Sequence, residues 1–430
     1  MDFLKQNRIA FAAAALLLAA FMQIIFPIPV PTNYVFFAYA SLVVLTSMGG
    51  GQMNFNIGMA LLLGAVAISI MGNRIPTFFK PWERFALFLM LALGCSPLIG
   101  GPVADKVKRQ MNMGGLWACF IISVWSFVAY FTGQGMYLSG FVNGYMGVTG
   151  HPNFLGYYVM VTMVGLASLY FRSTTNKERI ILACLWGSCI ITLLVSASRS
   201  ATGLGLAGSM IAGYLRLQKD TAKRFRVYMI MACAVVIALP YLIPYAETMM
   251  KKEMNFDDGG EAAIAATRGY VWELRYMELA KSPIIGIGAY ACDTTLPAAD
   301  TFYNGETGAI ELGSSYLGLL AQSGWLAFLA FLFMLVPIVL KSIKYCFQER
   351  TPYAQFFFPM LLISLIHMFF EGYLMTAGAV QCVIVWMLIS ACDQCDKVAD
   401  YPILWEKSDP ITPEQYVYWR DHVAVDGDKR

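Results

Sequence analysis

The sequence predicts an all-α, polytopic transmembrane helix bundle of about 12 spans, with one large external loop containing an amphipathic helix. Three observations lead there. Hydrophobic residues make up 58% of the 430-residue chain and charged residues only 13%, about half the share usual in a soluble domain. Apolar runs long enough to cross a bilayer recur along almost the whole length. Only one long polar stretch separates two of them, at 247–313.

A helix needs about 20 apolar residues to cross the hydrocarbon core. On that basis spans are expected at 9–28, 33–49, 54–72, 84–101, 113–133, 153–171, 179–197, 199–217, 226–246, 314–341, 354–371 and 373–392. The first follows Lys5 and Arg8 and ends in PIPVP without a small-x-small cleavage site, so it is read as a retained helix. Spans 179–197 and 199–217 are almost contiguous. The chain thus divides into helices one to nine (1–246), an external loop (247–313), helices ten to twelve (314–392) and a polar tail (393–430).

Orientation follows from where Lys and Arg gather in short connections. Lys5 and Arg8; Lys106, Lys108 and Arg109; Arg172, Lys177 and Arg179; Arg216, Lys219, Lys223, Arg224 and Arg226; and Lys341, Lys344 and Arg350 all fall on one side, read as cytoplasmic. One cluster disagrees. Arg74, Lys80 and Arg84 fall on the other side, so either span two or three is misplaced or these residues lie outside for a reason such as anion binding.

The 247–313 segment carries five basic and eleven acidic residues, so charge does not draw it inward. Its first part, KKEMNFDDGGEAA, reads as flexible. The continuation ATRGYVWELRYMELAKSP reads as an amphipathic helix with Tyr270, Leu274, Met277 and Leu279 facing the bundle, stopped by Ser282-Pro283 and a glycine-containing turn.

A net charge of +3, spread over short clusters, excludes a nucleic-acid role. Of the ten cysteines, most sit in apolar runs as small hydrophobes, and Cys292 is alone in the external loop. Cys392 and Cys395 form a CxxC with no second pair and no nearby histidine, a weak zinc signal. No Walker loop, dinucleotide glycine fingerprint, HExxH or GxSxG occurs.

Charges at a membrane edge are costly without a partner or a task. Arg199 lies in SASRSATG at the outer boundary between two spans. Arg268 and Arg275 lie seven residues apart in the loop helix, on one face. Three arginines on one side point to an anionic ligand, a lipid phosphate or pyrophosphate, which guanidinium grips bidentately. Against this stands a plainer account: Arg199 snorkels, and Arg268 and Arg275 pair with Glu273 or Glu278. His367 and Glu371, at i and i+4, make a proton relay, half a metal site, or simply a satisfied contact between helices. His151, in GVTGHPNFLG, reads as a cap of the following helix alongside Asn153.

Four stretches resemble the O-antigen ligase and polymerase superfamily of bacterial envelope glycosyltransferases: GHPNFLG at 150–156, SASRSATGLGL at 196–206, TRGYVWELRYMELAKSPIIGIG at 267–288, and SSYLGLLAQSGWLAFLAF at 314–331. The resemblance implies a GT-C-like fold in the bacterial inner membrane with the active site facing the periplasm. It also implies a donor glycan on undecaprenyl pyrophosphate, bound by Arg199 and Arg268 with Arg275 as an addition. The acceptor is another glycan or lipid A-core, and other polysaccharide-assembly proteins are expected partners. No cofactor and no metal is implied, because guanidinium groups stabilise the departing pyrophosphate. Ligases of this family carry a histidine just before the SSYL segment; here that position is Gly313. Glu311 and Glu371 are then the candidate proton acceptors, and the LIHMFFEGYL stretch resembles the polymerases more closely. A ligase is the alternative within the class. A lipid-linked glycan transporter is the alternative outside it, although no repeat relates the two halves.

Overall fold

Twelve helices occupy most of the described residues, and each starts or stops where the sequence supplies a cap or a breaker. The computed structural model describes residues 7–21, 32–47, 53–73, 75, 80–138, 144–217, 263–296, 303–304 and 309–398. The helices are α1 (Arg8–Phe21), α2 (Thr32–Ser47), α3 (Ile57–Gly72), α4 (Pro81–Cys95), α5 (Pro102–Thr132), α6 (Pro152–Arg172), α7 (Asn176–Ser196), α8 (Arg199–Arg216), α9 (Ala263–Lys281), α10 (Ser315–Phe347), α11 (Pro352–His367) and α12 (Val380–Asp393). Proline opens α4, α5, α6 and α11, where its missing N–H costs nothing. Side chains of Asn56, His151 and Thr175 cap α3, α6 and α7. Three short antiparallel strand pairs stitch connections, the longest joining Met136–Leu138 to Gly144–Gly147.

Eleven of the expected spans coincide with helices, and the twelfth, 226–246, lies outside the described residues. Among the described residues α5, α6, α7 and α10 are long and apolar enough to cross a membrane. The KKEMNFDDGGEAA stretch, except its last alanine at 263, and the tail beyond 398 also lie outside the described residues.

The bundle is built around α12. Every residue from Val380 to Cys392 is buried, and α12 packs against α4, α5, α6, α10 and α11. Trp386, fully buried, meets Phe88 of α4 and Phe331 of α10 edge-on. By contrast α7 is strongly apolar yet mostly exposed, as expected of a helix whose outer face meets lipid. Small residues bring helices close: a Cβ on Gly114 of α5 would lie 2.4 Å from the Ala10 carbonyl oxygen of α1.

Two helical paths are broken inside the bundle. In α10, Gly324 takes φ 68° and ψ −176°, which interrupts the helical ladder. The freed groups are taken up by residues 282–288: Ile287 and Gly288 donate to the Ala321 and Gln322 carbonyls at 3.0 and 3.1 Å. Trp325 and Leu326 donate to Pro283 and Ile284 at 2.8 and 3.0 Å. Ser69 of α3 adds a hydrogen bond to the Gln322 carbonyl at 2.7 Å. The second break is the non-helical stretch 368–379 between α11 and α12, much of it buried.

The contacts also bear on the discordant cluster. Gly72 packs on Ile285 and Asn73 on Gly288, so the end of α3 stands beside the 282–292 loop; Lys80 and Arg84 lie at the start of the next helix, α4. Arg74 lies outside the described residues. The Lys106–Arg109 cluster needs a correction. It is not a connection but the first turns of α5, where Lys108 is buried and donates to the Ser96 and Ile99 carbonyls. Those carbonyls come from the irregular turn after α4, so the cation serves the fold.

Gly286 sits at φ +74°, and a Cβ there would lie 2.3 Å from the Gln322 backbone. Gly286→Ala is therefore expected to destabilise the chain by more than about 1–2 kcal/mol, the cost of the left-handed backbone alone. Thermal unfolding of the full chain in detergent measures this; an unchanged midpoint would show that the loop is not latched to α10.

Candidate active site at the loop end of the bundle

The end of the bundle that carries residues 282–296 also carries the N-termini of α6, α8 and α10. The α6 terminus is fixed by its own cap, as the sequence reading expects: His151 Nδ1 accepts from the Asn153 amide at 3.1 Å. One turn on, Gly156 leaves room for the α7–α8 turn, since a Cβ there would lie 2.6 Å from Ser198 Oγ. Ala197 makes that turn at φ +53°, and Ser198 precedes α8. Arg199 is thus the first residue of α8, exposed, beside the start of α6. A cation at a helix N-terminus opposes the helix dipole. None of α6, α8 and α10 has an acidic residue in its first turn, so Arg199 and the three helix dipoles all contribute positive charge at this end.

Asn153 points the other way and donates from Nδ2 to Glu371 Oε1 at 2.9 Å. Glu371 lies in the second broken stretch, half-buried, and Ser315 at the head of α10 holds its backbone. The Ser315 amide donates to the Met368 and Glu371 carbonyls at 2.9 and 3.0 Å. Its hydroxyl donates to the Glu371 carbonyl at 2.6 Å and accepts from the Tyr373 and Leu374 amides at 3.0 and 3.2 Å. The His367–Glu371 pairing read at i, i+4 is corrected here, because α11 ends at His367 and no helical turn joins the two. His367, fully buried, meets the Tyr373 hydroxyl at 3.0 Å through Nδ1, and both rings pack on Tyr157. Tyr157, Ser315, Ser364 and Tyr373 form the polar floor beneath Glu371. None was singled out in the sequence. Only Tyr157, one turn after Asn153, carried a positional hint.

The loop helix α9 packs on α10. Its buried stripe is Val271, Leu274, Arg275 and Glu278. Leu274 faces inward as expected and Met277 and Leu279 are half-buried, while Tyr270 is exposed, which corrects that one position. Arg275 is therefore not on the site surface. Its guanidinium has no exposure, pairs with Glu278 at 2.7 Å, and donates to Cys292 Sγ at 3.5 Å. Burial pushes the Glu278 carboxyl above its ordinary range, and Arg275 offsets this only in part. Glu278 also accepts from the Asp293 amide at 2.9 Å. Burial would raise the Asp293 carboxyl too, but hydrogen bonds from Lys281 and Thr295 outweigh it and hold the group low. Arg268 belongs to the first part of α9, and its side chain lies outside the described residues.

Residues 311–315 run between α9 and the broken stretch. Trp272 Nε1 donates to the Gly313 carbonyl at 3.2 Å. Leu312 fills the space beside Gly372, where a Cβ would come within 2.4 Å of the Leu312 Cβ. Glu311 is exposed at the start of this run, next to buried Leu312. Gly313 has φ +63°, and a Cβ there would lie 2.9 Å from Val271. A side chain at this position is strained and presses on the Val271 and Trp272 side chains.

Residues 182–332 match the family described as O-antigen ligase. That match supports the O-antigen ligase/polymerase superfamily. It runs from α7 into α10 and includes Arg199, Arg268, Arg275 and Glu311, while His151, Asn153 and Glu371 lie outside it. No curated protein matches the chain. The match and the apolar helices together support a membrane protein with an O-antigen ligase- or polymerase-like role.

The Arg275–Glu278 pair predicts a particular mutant pattern. Glu278→Ala strands a buried guanidinium and is expected to cost about 3–5 kcal/mol. The double change R275M/E278L is expected to recover most of that loss in thermal unfolding. If the double variant is as unstable as the single one, the pair has a role beyond packing.

Proposed function

We propose that the chain is a polymerase-like glycosyltransferase of the bacterial inner membrane that takes its donor glycan from undecaprenyl pyrophosphate at the periplasmic face. In this reading the helices cross the bilayer about 12 times in a GT-C-like bundle, with the basic end in the cytoplasm and the loop outside. The observation that carries it is the pairing of two features at one place. Arg199 stands exposed at the first position of α8, against the same α6 N-terminus where Asn153 holds the Glu371 carboxylate. A positive rim beside a fixed carboxylate suits a reaction that expels an anion and removes a proton.

The pyrophosphate lies at the α8 and α6 N-termini, gripped by Arg199 and, from the loop helix, by Arg268. Arg275 has no part in this grip, because its charge is spent inside the loop. The acceptor hydroxyl attacks the anomeric carbon and gives its proton to Glu371. The bond from that carbon to the pyrophosphate oxygen breaks, and its electron pair leaves with the lipid pyrophosphate. Arginine and helix dipoles, fixed before the reaction, stabilise that developing charge. No divalent ion is needed for this step. Glu311, exposed across Leu312 and Gly372, is the second candidate acceptor of the proton.

Gly313 favours a polymerase over a ligase that relies on a histidine at this position, since the chain offers no imidazole there. A ligase acting on lipid A-core with Glu371 as its base stays the alternative, favoured by the ligase description of the matched family.

Substitution separates the roles. Arg199→Ala is expected to reduce polymer formation from lipid-linked repeat units in membranes by about a hundredfold or more. Arg199→Lys should also be impaired, because it keeps charge but loses the fork. Glu371→Gln keeps an acceptor for Asn153 and loses the base, so it should cost about 10²–10⁴-fold while leaving the chain stable. Glu311→Gln should cost far less. Full-length polymer at normal protein levels in the Arg199 variants would sink the pyrophosphate assignment; the reverse order of the two glutamates would move the base to Glu311.

A further inference from the structure

The first donor of α6 is held by an imidazole. Pro152 opens the helix and brings no N–H, so the Asn153 amide is the first that needs an acceptor. His151 Nδ1 is that acceptor, at 3.1 Å. The ring is half-buried and tilts against Phe154, with centroids 5.5 Å apart. Its backbone is extended, and its carbonyl accepts from the Thr149 hydroxyl and from the Phe154 and Leu155 amides, each at 3.1 Å. A ring nitrogen that accepts carries no proton, so the imidazole proton sits on Nε2. Asn153 is thus tied at both ends. Its backbone is bound to the imidazole, and its side chain donates to Glu371 Oε1 at 2.9 Å.

From this chain of contacts we propose that His151 is a positioning residue for the reaction above, which sets Glu371 through Asn153 and does so only as the neutral Nε2–H tautomer. The inference rests on Glu371 as the proton acceptor. Serine, threonine, aspartate and asparagine are the usual caps, and none of them changes charge near neutral pH. A histidine makes the cap titratable between about pH 5 and 8. Once Nδ1 is protonated, two donors face each other, and a cation is added where the α6 dipole opposes it. The turn must then open, and Asn153 is drawn away from the carboxylate. Among the described residues, the charged groups on the elements packed around this terminus are Arg199, whose turn packs on Gly156, and Glu371, bonded to Asn153. The first opposes an imidazolium and the second favours it. The further titratable groups there are Tyr145, whose hydroxyl is turned to Ser126, and His367, Tyr157 and Tyr373 beneath Glu371.

Polymer formation from lipid-linked repeat units, followed from about pH 5 to about pH 9 in membranes holding the full chain, tests this. The wild type should lose rate below neutrality as the imidazole titrates. His151→Asn keeps a cap that does not titrate. It should approach the wild-type rate at about pH 8 and hold that rate about one pH unit further toward acid. His151→Ala removes the cap, so kcat should fall about five- to tenfold with KM for the lipid-linked unit unchanged. Should the alanine variant fail to accumulate, the asparagine variant carries the test alone. An asparagine variant with the wild-type decline toward acid, or an alanine variant with the wild-type kcat, overturns the inference. So does a wild-type rate that rises as pH falls, which would make His151 a cation for the anionic substrate. Glu371→Gln, assayed in parallel, separates the two levels. At the wild-type rate it overturns the base assignment and this inference with it. An impaired Glu371→Gln beside an unshifted His151→Asn profile overturns the role of His151 alone.

Discussion

Ser315 carries a disproportionate share of the architecture. Away from water, each unpaired backbone amide or carbonyl costs several kcal/mol, so an apolar bundle can interrupt a helix only where something else completes the hydrogen bonds. The 368–379 break is completed largely by one residue, whose amide and hydroxyl serve Met368, Glu371, Tyr373 and Leu374 together. Trp386 and Cys382 then satisfy the Leu374 carbonyl from within α12. Because the break is held, α12 can start deep in the bundle, and Glu371 can face Asn153 in place of continuing a helix.

The same rule explains which charges are available for chemistry. Arg275 and Lys108 are both withdrawn from the surface, each to satisfy acceptors that the local backbone or a neighbouring carboxylate would otherwise leave bare. Arg199 differs in that it is exposed at the head of α8, on a turn shaped by Ala197 and by the close approach of Gly156. A cation there stands where the helix dipole disfavours it.

Much of the bundle was legible because lipid-facing helices write their length directly into the sequence. Proline at the starts of α4, α5, α6 and α11 and the Ser282-Pro283 stop of α9 could be read the same way. The breaks could not be: 354–371 and 373–392 have the composition of two ordinary spans, and hydropathy has no term for a carbonyl such as that of Glu371, which finds its partner 56 residues away. The pairing of Arg275 with Glu278 is one of the readings the sequence offers, but periodicity does not see that α9 buries the pair, and it places Tyr270 on the inner face. The candidate site was legible in its charged residues, Arg199 and Glu371, and hidden in its supports, Tyr157, Ser315 and Tyr373. Their roles come from which strand of chain they meet and are written in no local pattern.

The interleaving of residues 282–288 with the kink at Gly324 couples two motions that would otherwise be independent. Lifting this part of the loop removes the partners of Ala321, Gln322, Trp325 and Leu326, so it must be accompanied by rewinding of α10 or by water entering the bundle. A hinge in the usual sense, a flexible cover over a rigid base, is therefore ruled out for this part of the chain. Here the cover is part of the base. Movement of this joint is thereby tied to the integrity of the bundle itself.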